Sequence, residues 1–79
     1  MLDTHKIGLN LRRLRIENGL TQDMVAEKLF VSRQAVSSWE QGNSLPTIDS
    51  CLLLLEVYDT DLDTLLCLKK RERKGTEEE

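Results

Sequence analysis

The stretch TQDMVAEKLFVSRQAVSSWEQG, Thr21 to Gly42, constrains the fold more than any other part of the sequence. It contains two helix-like segments, about Gln22 to Leu29 and about Arg33 to Gln41, joined by only Phe30, Val31 and Ser32. Val25, Ala26 and Leu29 form the apolar stripe of the first, and Val36 and Trp39 that of the second. Thr21 and Ser32 precede the segments as N-caps, whose side-chain oxygens accept from otherwise unbonded backbone N–H groups. Asp23 suits the positive N-terminal end of its helix. Gly42 ends the second helix because glycine adopts the left-handed conformation at little cost. Two helices of about eight residues joined so tightly must cross steeply, and small Ala26 lets their backbones approach. This is the sequence form of a helix-turn-helix.

The outward face of the second helix is unusual for a surface. Arg33, Gln34, Ser37, Ser38 and Gln41 stand where a merely solvated helix would carry Glu and Lys, which form helices better. A major groove about 12 Å wide admits a helix, and Gln pairs bidentately with adenine, Arg with guanine, while Ser can donate or accept. Arg33, Gln34 and Ser38 are therefore candidates for reading base edges of double-stranded DNA. Trp39 lies off this face and is expected in the core.

The rest of the chain reads as helix, with one Pro, four Gly and no extended alternating run. Helix one is expected from about Thr4 to Asn18, with Ile7, Leu11 and Leu14 as its stripe and Asn18-Gly19 as its end. Thr47 caps a fourth helix running to about Tyr58, and a short fifth spans Leu62 to about Leu68. In the run CLLLLEV, Cys51, Leu52, Leu55 and Tyr58 share the core side, Leu54 sits at its edge and Leu53 points away. Leu53 and Val57, at i and i+4 and extended by Leu66 or Leu68, suggest a two-fold interface and hence a homodimer. Residues 1–68 are expected to form one DNA-binding domain. Residues 69–79, KKRERKGTEEE, lack apolar periodicity and are expected to be a frayed charged tail rather than a DNA contact.

Size and charge limit the other possibilities. Seventy-nine residues bury roughly 60% of their unfolded surface, enough for one small core. That leaves no room for a small-molecule pocket, and no nucleophile with a base or paired carboxylates points to an enzyme. His5 stands alone and Cys51 and Cys67 are far apart, so neither metal nor cofactor is expected. Reduced cysteines, the absence of a signal-like N-terminus and the lack of any apolar run near ~20 residues point to a cytoplasmic chain without a membrane span. The net charge of −3 is uneven: residues 1–45 hold six bases and five acids, residues 46–79 five bases and nine acids. A DNA-contact face in the first part can be locally positive even so.

Residues 7–66, through LRRLRIENGLTQDMVAEKL, VSRQAVSSWEQGNSLP and YDTDLDTLL, resemble the Xre family of lambda-repressor-like and Cro-like helix-turn-helix proteins. The resemblance implies an all-α, compact five-helix domain that binds operator DNA, often as a dimer. It implies that Ser32, Arg33, Gln34 and Ser38 meet base edges or nearby phosphates, and that Gln22 contacts phosphate and braces the recognition helix. Gln41 and Asn43 then approach the DNA backbone. Thr21, at the start of helix two, joins this set. Arg12 fits a phosphate contact as well as it fits plain surface, whereas Arg13 fits surface. Arg15 and Glu40 match a pair that joins helix one to helix three. Phe30 and Asp59 stand where the family often has glycine. If Phe30 is left-handed it costs ~1 kcal/mol, unless the turn differs or packing of the ring offsets the strain. The function implied is sequence-specific transcriptional regulation; the alternative is an antitoxin that also autoregulates its operon.

Overall fold

A computed structural model describes residues 2–68; the expected charged tail, 69–79, lies outside the described residues. The described chain is five helices: α1 (Thr4–Glu17), α2 (Gln22–Leu29), α3 (Arg33–Glu40), α4 (Ile48–Val57) and α5 (Leu62–Leu65). A side-chain oxygen caps each N-terminus. Thr21 accepts from Met24 N, Ser32 from Ala35 N and Thr47 from Ser50 N. Asp3 and Asp61 cap α1 and α5 in the same way.

All five helices also end alike. The residue after the helix, or one further on, turns left-handed: Gly19, Phe30, Gly42, Asp59 and Cys67, with φ between 51° and 80°. A backbone N–H just beyond then reaches back five residues, as in Val31 N to Ala26 O at 3.0 Å and Leu68 N to Asp63 O at 2.9 Å. This geometry satisfies carbonyls that a helix end leaves open. It ends α5 at Leu65, three residues earlier than the periodicity suggests. At Phe30, φ is 59° and the ring is 88% exposed. The turn is therefore left-handed and ring packing does not offset its strain.

The core joins Ile7, Leu11 and Leu14 of α1 to Val25, Ala26 and Leu29 of α2 and to Val36 and Trp39 of α3. Cys51, Leu54 and Tyr58 from α4 and its cap, with Leu65 of α5, complete it. The phase of α4 differs from the expected one. Leu54 is 1% exposed and Leu52 is 56% exposed, so Leu54 is the core residue and Leu52 faces outward. Four successive leucines carry no periodicity of their own. The inward side is set by Cys51 and Tyr58, seven residues apart, and Leu54 lies between them on that side.

Where α1 crosses the end of α3, the backbones nearly touch. A Cβ on buried Gly8 would lie 2.5 Å from the Glu40 carbonyl oxygen and 2.7 Å from that of Trp39. A Cβ on Gly42 would lie 3.0 Å from His5 Cα on the same junction.

Candidate nucleic-acid interface

The first turn of α3 is its outward end. Ser32, Arg33 and Gln34 are all exposed there, while Val36, Trp39 and Glu40 of the same helix are buried. The Ser32 hydroxyl oxygen accepts from Ala35 N at 3.1 Å, which leaves its proton to donate. Ser38 is half-buried and shares a 2.8 Å hydrogen bond with the Ser44 hydroxyl in the following loop. Gln41 donates to the Ser37 hydroxyl at 2.8 Å and accepts from Asn43 at 3.4 Å, so these two candidate backbone contacts sit together at the far end of the helix. Thr21 and Gln22 begin α2 beside the first turn of α3. Arg12 is exposed on α1, and the guanidinium that reaches α3 is that of Arg15.

Arg15 and Glu40 form a two-pronged pair, Nε to Oε2 at 2.6 Å and Nη2 to Oε1 at 3.0 Å. Their side chains are only 13% and 4% exposed. Arg15 Nη1 also donates to the Leu20 carbonyl at 3.0 Å, tying the α1–α2 turn to the pair. The hydrogen bond to Glu40 raises the Arg15 pKa against the opposing effect of burial. Gln22 Nε2 donates to the same Glu40 Oε1 at 3.0 Å, and Gln22 Oε1 accepts from Arg33 Nη1 at 3.3 Å. Arg33 Nε stands 3.6 Å from Asp23 Oδ1 at the surface. Arg15, Glu40, Gln22 and Arg33 thus run as one chain of contacts from α1 to the recognition face. Sequence reasoning missed the Glu40–Gln22, Arg33–Asp23 and Ser38–Ser44 links. None follows a helical spacing within one element, so no local pattern announces them.

Tyr58 lies beneath this network, 3% exposed. Burial, and then the nearby Glu40 charge, push its phenol well above the usual range, against the lowering effect of Arg15. The folded state therefore holds the Tyr58 proton more tightly than the unfolded chain. The stability this contributes is complete below about pH 10, the unfolded tyrosine value, and declines as pH rises beyond it. Tyr58→Phe should make the fall in thermal stability between pH 9 and pH 11 shallower than in the wild type. Parallel slopes would mean Tyr58 ionises as freely folded as unfolded.

Comparison with known proteins supplies the context. The helix-turn-helix family HTH_3 matches residues 11–65. The HTH-type transcriptional activator BcrR of Enterococcus faecalis is 39% identical over 56 residues, covering 71% of this chain and 28% of that protein. The HTH-type transcriptional regulator YobD of Bacillus subtilis is 32% identical over 73 residues, covering 86% of this chain and 65% of that protein. The chain thus spans less than two thirds of either relative. Among solved structures, the restriction-modification controller protein C.AhdI from Aeromonas hydrophila superposes with a TM-score of 0.73 at 30% identity, covering 80% of this chain and 96% of that one. The P22 c2 repressor, solved in complex with a synthetic operator, superposes with a TM-score of 0.72 at 27% identity, covering 76% and 91%. The family is one of transcriptional regulators rather than enzymes. With α2 and α3 crossing over a three-residue turn inside the matched region, this chain belongs to the HTH_3 helix-turn-helix family, lambda-repressor-like and Cro-like in fold.

Proposed function

We propose that this protein is a sequence-specific transcriptional regulator that inserts α3 into the major groove of an operator. One observation carries the reading: the first turn of α3 exposes Ser32, Arg33 and Gln34 as a contiguous polar group, while the rest of that helix is anchored to α1 and α2 through Glu40. Ser32, Arg33, Gln34 and Ser38 meet base edges; Thr21, Gln22, Gln41, Asn43 and Arg12 meet the backbone. Contacts of the second kind position the protein and those of the first specify sequence. Residues 1–68 form the DNA-binding unit, acting in the cytoplasm. Among the described residues no helix is long and apolar enough to cross a membrane.

Gln34 provides the test. Its side chain can accept from and donate to one adenine, so Gln34→Ala should cost about 1–3 kcal/mol at one base pair per half-site. Non-specific binding should hardly change, because no charge is lost. Gln41→Ala should weaken all sequences alike. Each variant is titrated against an operator selected from random DNA and against its single-base variants. Equal weakening of every variant by Gln34→Ala would make Gln34 a backbone contact and remove this assignment of the reading face.

The proposed active form is a homodimer, with half-sites about 10 bp apart. Leu53 is 37% exposed, while Val57 is half-buried and packs on the core, so Leu53 is the side chain freer to meet a second copy. Leu53→Glu should raise the dimer dissociation constant and weaken operator binding with the monomer still folded. Unchanged association in the ultracentrifuge would take α4 out of the interface.

A further inference from the structure

We infer that buried Glu40 is a positioning residue for base reading: it determines which way round the Gln22 side-chain amide sits, and so presents the Gln22 carbonyl to Arg33. The inference rests on the proposed major-groove reading by α3.

A carboxylate accepts hydrogen bonds and does not donate them, whereas a glutamine amide has one accepting and one donating end. Both Glu40 oxygens already accept from Arg15, and Oε1 accepts a second time from Gln22 Nε2 at 3.0 Å. Turning the Gln22 amide over would set its carbonyl against a carboxylate oxygen on one side. On the other it would set its NH2 against the Arg33 guanidinium, which has donors only. The amide is therefore held from both ends in one orientation. Its carbonyl accepts from Arg33 Nη1 at 3.3 Å, and Asp23 stands 3.6 Å from Arg33 Nε. Two of the five guanidinium N–H donors thereby face protein partners, one on Nη1 and the one on Nε. The second Nη1 hydrogen and the two on Nη2 remain for a base, and Nη1 with Nη2 makes the fork that suits guanine O6 and N7. Arg33 has a long, rotamer-rich side chain, and ordering it before DNA arrives lessens what must be ordered on binding. The position that selects the acceptor facing Arg33 is thus a residue in the core that never touches DNA.

Glu40→Gln tests this with little change of shape, because glutamine at position 40 can offer Gln22 either end of its amide. The base pair read by Arg33 is first identified as the one whose discrimination Arg33→Ala removes. A good bidentate contact there gives roughly 5- to 150-fold discrimination. Glu40→Gln should reduce that ratio to near one, while discrimination at the Gln34-read pair and binding to non-specific DNA stay as in the wild type. Gln22→Met, which leaves the Arg15–Glu40 pair intact, should remove the same discrimination at the Arg33-read pair even if Glu40→Gln folds poorly, on top of a uniform weakening at every sequence from the loss of its own proposed backbone contact. A second readout needs no DNA: by NMR, the Gln22 side-chain NH2 protons should exchange with water more slowly than those of exposed Gln34, and Glu40→Gln should abolish the difference. Discrimination at the Arg33-read pair kept at the wild-type ratio in both variants, whatever the loss common to all sequences, would make Glu40 a purely structural residue. Free exchange of the Gln22 amide in the wild type would overturn the inference and leave the DNA-binding reading standing. A held amide in a protein with no sequence preference would instead mean that the regulator reading fails, and this inference with it.

Discussion

Arg15→Met is expected to lower the unfolding free energy by about 3–5 kcal/mol, the usual cost of leaving one partner of a buried ion pair alone. The magnitude follows from what remains. Glu40, with a side chain 4% exposed, would keep only Gln22 as a hydrogen-bond donor to its charge. The Leu20 carbonyl would also lose its Arg15 partner. For a domain of this size each kcal/mol corresponds to roughly 4–8 °C in melting temperature, so a calorimetric scan reads the effect directly. Arg15→Met combined with Glu40→Gln should recover much of the loss, since the buried group is then neutral and Gln22 can still donate to it. Additive losses from the two single changes would show that the residues do not act as a pair.

Gly8→Ala should destabilise by about 3 kcal/mol, the upper part of the range for an overpacked core. The sign makes this the sharper test, because helix propensity alone predicts the reverse. Gly8 lies inside α1, where alanine is favoured over glycine by ~1 kcal/mol. The atoms a new Cβ would meet are backbone: the carbonyl oxygens of Trp39 and Glu40 and the Glu40 carbonyl carbon. No side chain can rotate aside, so α1 and the end of α3 must separate. That movement strains the Arg15–Glu40 pair, which spans the same two helices. A variant as stable as the wild type would mean the junction can open at little cost.

Much of the fold was legible because its signals are local. The Ile7–Leu11–Leu14 stripe, the Thr21, Ser32 and Thr47 caps, and the glycine stops at Gly19 and Gly42 each depend on residues within about one or two helical turns. The same holds for the polar first turn of α3: its composition departs from that of a solvated helix whatever the rest of the chain does. The short Phe30-Val31-Ser32 connection then leaves two helices few ways to cross.

What the sequence alone determined is therefore the set of helices, their caps and the helix that carries the outward polar face, all written in periodicity and propensity at short range. Tertiary structure alone decided the rest. It selected Leu54 over Leu52 for the core, because a run of leucines has no phase until Cys51 and Tyr58 meet their neighbours. It required glycine at position 8, because only the crossing of α1 and α3 brings two carbonyls to where a Cβ would be. It held Phe30 left-handed with its ring in solvent, because the α2–α3 turn must close whichever residue occupies it. And it gave Glu40 a second partner, Gln22, beside the Arg15 that the family resemblance implied, because the approach of groups 18 residues apart is set by how the helices pack and not by any spacing along the chain.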